Sequence, residues 1–133
     1  MTDSEFIRRF EDCSLPNESF HHTEHVRIVW LYLRCYPVLE TIARFSAALK
    51  RFASTHGKRN LYHETITWAY VFLIHERRAR HGLEQTWEEF TRDNADLLDW
   101  KNSILTFYYN NETLQSELAR KIFVFPDKGP LCP

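Results

Sequence analysis

Glycine and proline are scarce in this chain, three and five residues in 133. Both interrupt helices, glycine through backbone entropy and proline through a missing N–H and a steric clash. The few present sit between or beyond the patterned segments, so long stretches are free to propagate helix. Uninterrupted apolar runs are lacking too: no segment approaches the roughly 18 residues of a membrane span, which excludes a membrane partner. The opening MTDSEFIRRF mixes acids and bases and has no apolar core of a secretory signal, so a cytoplasmic protein is expected. Cysteine use agrees. Cys13, Cys35 and Cys132 are far apart, with no C-x-x-C pair, and read as free thiols. The glycosylation triplets at Asn17 and Asn111 carry no weight in that compartment. Excess charge is absent as well: 17 basic against 18 acidic residues give a net charge of −1. No global field attracts polyanions, and nucleic acid is not an expected partner.

What the chain does have is apolar and aromatic mass. Four Trp, six Tyr and ten Phe suffice for a core, since each large buried side chain contributes about 1.5–3 kcal/mol. The length fits one domain. The expected fold is all-α, a compact single-domain bundle of about five to seven helices over residues 1–125, with a loose tail at 126–133. A first helix, capped by Asp3 or Ser4, runs to about Cys13 with Phe6, Ile7 and Phe10 as its stripe. A second covers about Thr23 to Tyr36, where Val26, Val29, Trp30 and Leu33 recur at three- and four-residue steps and Thr23 serves as cap. A third runs from Val38 to His56 and is stopped by Gly57, burying Leu39, Ile42, Phe45, Leu49 and Phe52. The fourth, about Leu61 to His81, is apolar almost all round from Ile66 to Ile74, the mark of a central helix. Thr86 and Glu89 form a capping box for a short fifth. Asp96–Tyr108 and Asn111–Arg120 read as further helices.

Two polar blocks stand out against this pattern. In F-H-H-T-E-H, counting back four from Val26 and seven from Val29 puts His22 on the core stripe, with His25 three residues on, so both rings lean one way. In Y-H-E-T-I-T-W, His63, Glu64, Thr65 and Thr67 open the most buried helix, where an unpaired polar group costs about 1–3 kcal/mol. A shared site accounts for both blocks. His22, His25 and His63 supply three nitrogens to a divalent transition metal (zinc, iron, copper or nickel), and one position stays open for substrate. Glu24 or Glu64 then accepts a proton, Tyr62 donates one, and Glu64 alternatively holds a ligand's second nitrogen. Thr65 and Thr67 complete the polar cluster, Trp68 offers a substrate wall, and Arg27 meets an anionic group on a small-molecule substrate. The chemistry is hydrolytic or oxidative. No ligand pattern of strong specificity is present. The competing reading is a non-catalytic interaction or ligand-binding domain, in which the same residues cap helices and hydrogen-bond across the core.

These segments, F-H-H-T-E-H-V-R, W-L-Y-L-R, H-G-K and Y-H-E-T-I-T-W-A, with the later W-E-E-F and L-L-D-W-K, resemble a family of small bacterial proteins of unassigned function. The resemblance spans most of the chain. It implies a bacterial, cytosolic protein, favours His22 over His21 and includes His25, His63, Thr65 and Thr67, but it supplies no substrate. Elsewhere Arg77, Arg78 and Arg80 read as a solvated helix end, and Lys50 with Arg51 and Lys58 with Arg59 as similar cations able to meet an acidic partner. His75 reads as buried or paired. Trp30, Trp68, Trp87 and Trp100 read as core anchors, Cys35 lacks a base that would make it a nucleophile, and an oligomer is compatible with the aromatic content.

Overall fold

A computed structural model describes residues 1–128. Among them are eight helices and no strand: α1 (Asp3–Glu11), α2 (His22–Cys35), α3 (Val38–Thr55), α4 (Glu64–His81), α5 (Trp87–Asp93), α6 (Ala95–Leu98), α7 (Asn111–Leu114) and α8 (Glu117–Lys121). Single 3-10 turns occur at Asn17–Ser19, Arg59–Leu61 and Ile104–Phe107. Helices α2, α3 and α4 pack on one another, α1 covers α3, α6 lies against α2 and α4, and α8 lies on α4. No helix among the described residues is long and apolar enough to cross a membrane.

The apolar stripes are buried where the periodicity puts them, with instructive exceptions. Phe6 and Phe10 of α1 are buried, and Val26, Val29, Trp30 and Leu33 of α2 with Ile42, Phe45, Leu49 and Phe52 of α3 join the same core. Leu39 does not, being 71% exposed. Followed backwards, the stripe of α3 arrives at Val38, which packs on the core, and Leu39 lies about 100° further round the helix. The caps shift by a residue or two. Thr2, not Asp3 or Ser4, caps α1, its hydroxyl accepting from the Glu5 N–H at 3.1 Å. Residue 21 caps α2, whose first turn Glu24 closes by accepting the His21 N–H at 2.9 Å, and Thr23 is exposed. The box of Thr86 and Glu89 forms as expected, with bonds of 2.9 and 3.1 Å.

After α5 the helical expectation fails. The stretch 96–108 is helical only to Leu98. The Asp99 carboxylate then accepts the Asn102 N–H at 3.0 Å and the Ser103 hydroxyl accepts the Leu105 N–H at 3.2 Å. Short polar side chains here capture main-chain donors that a helix would have used. In 111–120 Ser116 splits the helix in two: its hydroxyl donates to the Thr113 carbonyl at 2.7 Å and accepts the Ala119 N–H at 3.1 Å, starting α8. The expected loose tail is fastened at its start. Asp127 accepts the Asn110 N–H at 3.0 Å and the Thr113 hydroxyl, and the Lys128 N–H donates to the Tyr108 carbonyl at 3.0 Å. Residues 129–133, Cys132 included, lie outside the described residues.

Of the three arginines toward the end of α4 only Arg80 is solvated, paired on the surface with Glu76 at 3.1 Å. Arg77 pairs with Asp96 at 2.7 Å and donates to the Asn94 side chain at 2.9 Å. Arg78 is buried, and its guanidinium donates to the Leu33 carbonyl at 3.0 Å. That carbonyl would take a helical bond from residue 37, which is Pro37 and has no N–H. Arg78 supplies the missing donor at the C-terminal end of α2, where a cation also suits the helix dipole. Replacing it by methionine keeps the length and removes the donor, and an Arg78→Met variant should unfold with about 2 kcal/mol less stability in urea. Unchanged stability would show that water satisfies Leu33 equally well. His75, by contrast, is exposed, neither buried nor paired as its position inside α4 had suggested.

Candidate functional site

A cavity of about 780 Å³ opens where the starts of α2 and α4 meet α3. Its apolar wall comes from Val26, Val29, Phe45, Leu49, Phe52, Ile66, Tyr70 and Ile74, with Phe20 and Trp100 from the connecting segments. His22, His25 and His63 all line it, as do Tyr62 and Thr67. The rings of Phe10, Phe20 and Phe52 stack behind one side, with Phe20 4.8 Å from each of the other two.

Each histidine is held differently. The Nε2–H of His22 donates to the Leu97 carbonyl at 2.8 Å, which leaves Nδ1 as an acceptor. Its ring lies 4.8 Å from Tyr70 and 4.9 Å from Trp100. Trp100 was expected in the core but is 53% exposed and shapes the rim instead. The His25 ring stacks on Phe20 at 4.2 Å and meets Phe45 edge-on at 6.4 Å. No side-chain hydrogen bond engages it among the described residues. His63 caps α4: Nδ1 accepts the Ile66 N–H at 3.1 Å, and Nε2–H donates to the Leu114 carbonyl at 2.6 Å. Both nitrogens are committed, and the pair of bonds fixes the neutral tautomer. Burial keeps all three rings unprotonated. It lowers His22 against the bond to Leu97, lowers His63 with help from the Arg120 charge, and pushes His25 down to about 3, with His22 and His21 adding in the same direction.

Of the other expected site residues, Tyr62 and Thr67 reach the cavity, whereas Glu24, Arg27, Glu64, Thr65 and Trp68 do not. Tyr62 donates its hydroxyl to Glu64, and burial with that bond raises its ionisation far above the usual phenol range. The Thr67 hydroxyl is spent on the His63 carbonyl at 2.7 Å. Glu64 lies off the cavity wall, accepting from Tyr62 with the Lys50 ammonium at 3.9 Å. Glu24 is the helix cap already described. Arg27 points to α1, pairing with Asp3 at 2.6 Å over the Phe6 ring. Thr65 is fully buried, donating to the Ile122 carbonyl at 2.8 Å and accepting the Val124 N–H at 3.0 Å. Trp68 stacks on Phe123 at 5.6 Å, on the side of the carboxy-terminal segment. Among the described residues no group of three or more His, Cys, Asp or Glu side chains converges in a way that could hold a metal ion.

Sequence reasoning did not place Phe20, Tyr70, Trp100, Lys58 or Arg120 on this wall, where the structure does. Lys58 stood out only as half of a basic pair. Nothing in the periodicity ties Arg120 to residues sixty positions earlier. Comparison of the chain with protein families, curated proteins and solved structures finds no match.

Proposed function

We propose that the chain is a small-molecule-binding domain whose ligand occupies this cavity. The observation that carries the reading is a volume of about 780 Å³ with mostly apolar and aromatic walls and a few imidazoles set among them. Ligand sites share that make-up: mainly hydrophobic lining, a few placed polar groups and volumes of about 300–1,000 Å³. The protonation states fit binding better than proton transfer, because a general base works best with a pKa near the working pH. A ring lowered to about 3, like His25, accepts a hydrogen bond at neutral pH and seldom a proton. The ligand is therefore an apolar or aromatic body, and any hydrogen-bond donor it carries can meet His22 Nδ1 or His25.

Octanol is a suitable neutral probe. Calorimetric titration should give saturable one-to-one binding, and filling the site through an Ile66→Trp substitution should weaken it at least tenfold. Absence of saturable binding to the wild-type chain would overturn the proposal.

A second reading starts from His22, His25 and His63 lining the same cavity, where they would have to draw together around an ion. In it a divalent transition metal binds those three, and His63 exchanges its bonds to Ile66 and Leu114 for coordination. It predicts stoichiometric metal in untagged protein, lost in a folded His22→Ala variant. Metal-free protein with melting unchanged by chelator would rule against it.

A further inference from the structure

We propose that the cavity's ligand is an amphipathic anion, its apolar body among the aromatic rings and its acid group at the rim between Lys58 and Arg120. This inference rests on the binding reading above and narrows it to a chemical class.

The charge lining the cavity is one-sided. Lys58 and Arg120 are on the wall, and no Asp or Glu is. The two cations approach the same stretch of chain, since the Arg120 guanidinium donates to the Asn60 carbonyl at 3.3 Å, in the 3-10 turn that directly follows Lys58. Neither has an ion-pair partner among the described residues. The other bases of this region are occupied: Lys50 lies 3.9 Å from Glu64 and over the Tyr62 ring, and the Arg59 guanidinium lies over the same ring, 5.8 Å from its centroid. The nearby carboxylates are occupied too, Glu64 by Tyr62 and Lys50 and Glu24 by the His21 N–H. Arg120 acts on the cavity electrostatically, since its charge adds to burial in holding His63 unprotonated. The starts of α2 and α4 also open here, at His22 and just after His63, and helix starts favour negative charge. An acid group at the rim meets a guanidinium and an ammonium with no competing carboxylate on the wall. A ligand cation in the same place meets only repulsion.

Octanoate, octanol and octylammonium share one chain and differ in the head group, so titrating the three into the full chain at neutral pH separates the two levels of the argument. The expected result is octanoate binding about tenfold more tightly than octanol, the scale of one charge-assisted contact, with octylammonium weakest. The Lys58→Gln, Arg120→Gln double variant should lose that preference, the ratio of octanoate to octanol affinity falling to about one. Raised salt should erode the octanoate advantage alone. Should the double variant fail to fold, the exposed Lys58→Gln single variant still reports, with an expected loss of about threefold for octanoate. Octanol binding as tightly as octanoate overturns the anion inference and leaves the cavity reading standing. A preference that survives removal of both cations overturns their assignment, and no binding of any probe overturns both readings.

Discussion

Lowering the pH from 7 to 5 should cost the folded protein about 2 kcal/mol through His25 alone. The unfolded chain protonates this imidazole near 6.5, the folded chain only near 3, because packing against Phe20 and Phe45 at the cavity wall desolvates the charged form and His22 and His21 disfavour it further. The folded pKa is the lower of the two. Its contribution is therefore fully present above about 6.5 and is lost as pH falls through the window down to about 3. Within the window the slope is about 1.4 kcal/mol per pH unit. His22 and His63 are lowered as well and act with the same sign. The carboxylates held low by hydrogen bonds, Asp96 and Asp127 among them, start from 3.8 and act only at more acid pH, so the histidine contribution can be measured between 7 and 5. Urea unfolding at several pH values tests it. A His25→Phe variant, which keeps the stacking and removes the proton, should flatten the profile, and a wild-type profile already flat from 7 to 5 would contradict the assignment.

A His63→Ala variant should lose about 2–4 kcal/mol. Truncation removes the helix cap, which is the bond to the Ile66 N–H and is worth about 1 kcal/mol, and leaves the Leu114 carbonyl without its donor. An unsatisfied carbonyl costs about 1–3 kcal/mol more where water cannot replace the imidazole. Asparagine caps helices well but is too short to reach Leu114, so His63→Asn should recover the cap and only part of the loss. Denaturant unfolding of the two variants measures both quantities. Equal stability of wild type and His63→Ala would mean that residue 63 is held there for what enters the cavity and not for the fold.

These two residues show how far the sequence could be read. Periodicity identified α1, α2 and α3 because each buries one face, and the apolar run from Ile66 to Ile74 identified α4, which packs against α2, α3, α6 and α8. Beyond Leu98 the chain turns through Asp99, Ser103 and Ser116, whose side chains bond to nearby main chain, and local competition of that kind leaves little periodic trace. Of the two polar blocks, His22, His25, Tyr62, His63 and Thr67 line one cavity. Several of the same side chains are also fastenings: His22 holds Leu97, His63 holds Leu114, and Thr65 holds Ile122 and Val124. A polar residue on a buried helix face announces that it has a partner without saying whether the partner is a ligand or the chain's own carbonyl. Lys58 and Arg120 were illegible for another reason, since only tertiary folding brings them to one rim.

Those fastenings set how the molecule breathes. Among the described residues, 99–128 share no main-chain-to-main-chain hydrogen bond with residues 1–93, so this stretch is held to the rest of the fold through side-chain contacts. Any opening of this stretch short of global unfolding also has to release Leu105, Tyr109 and Ala119 from burial. Trp100 and Arg120 belong to that stretch and to the cavity wall, so each opening dismantles part of the pocket. A bound molecule that touches them therefore slows amide exchange as far away as Val124, a residue it never meets.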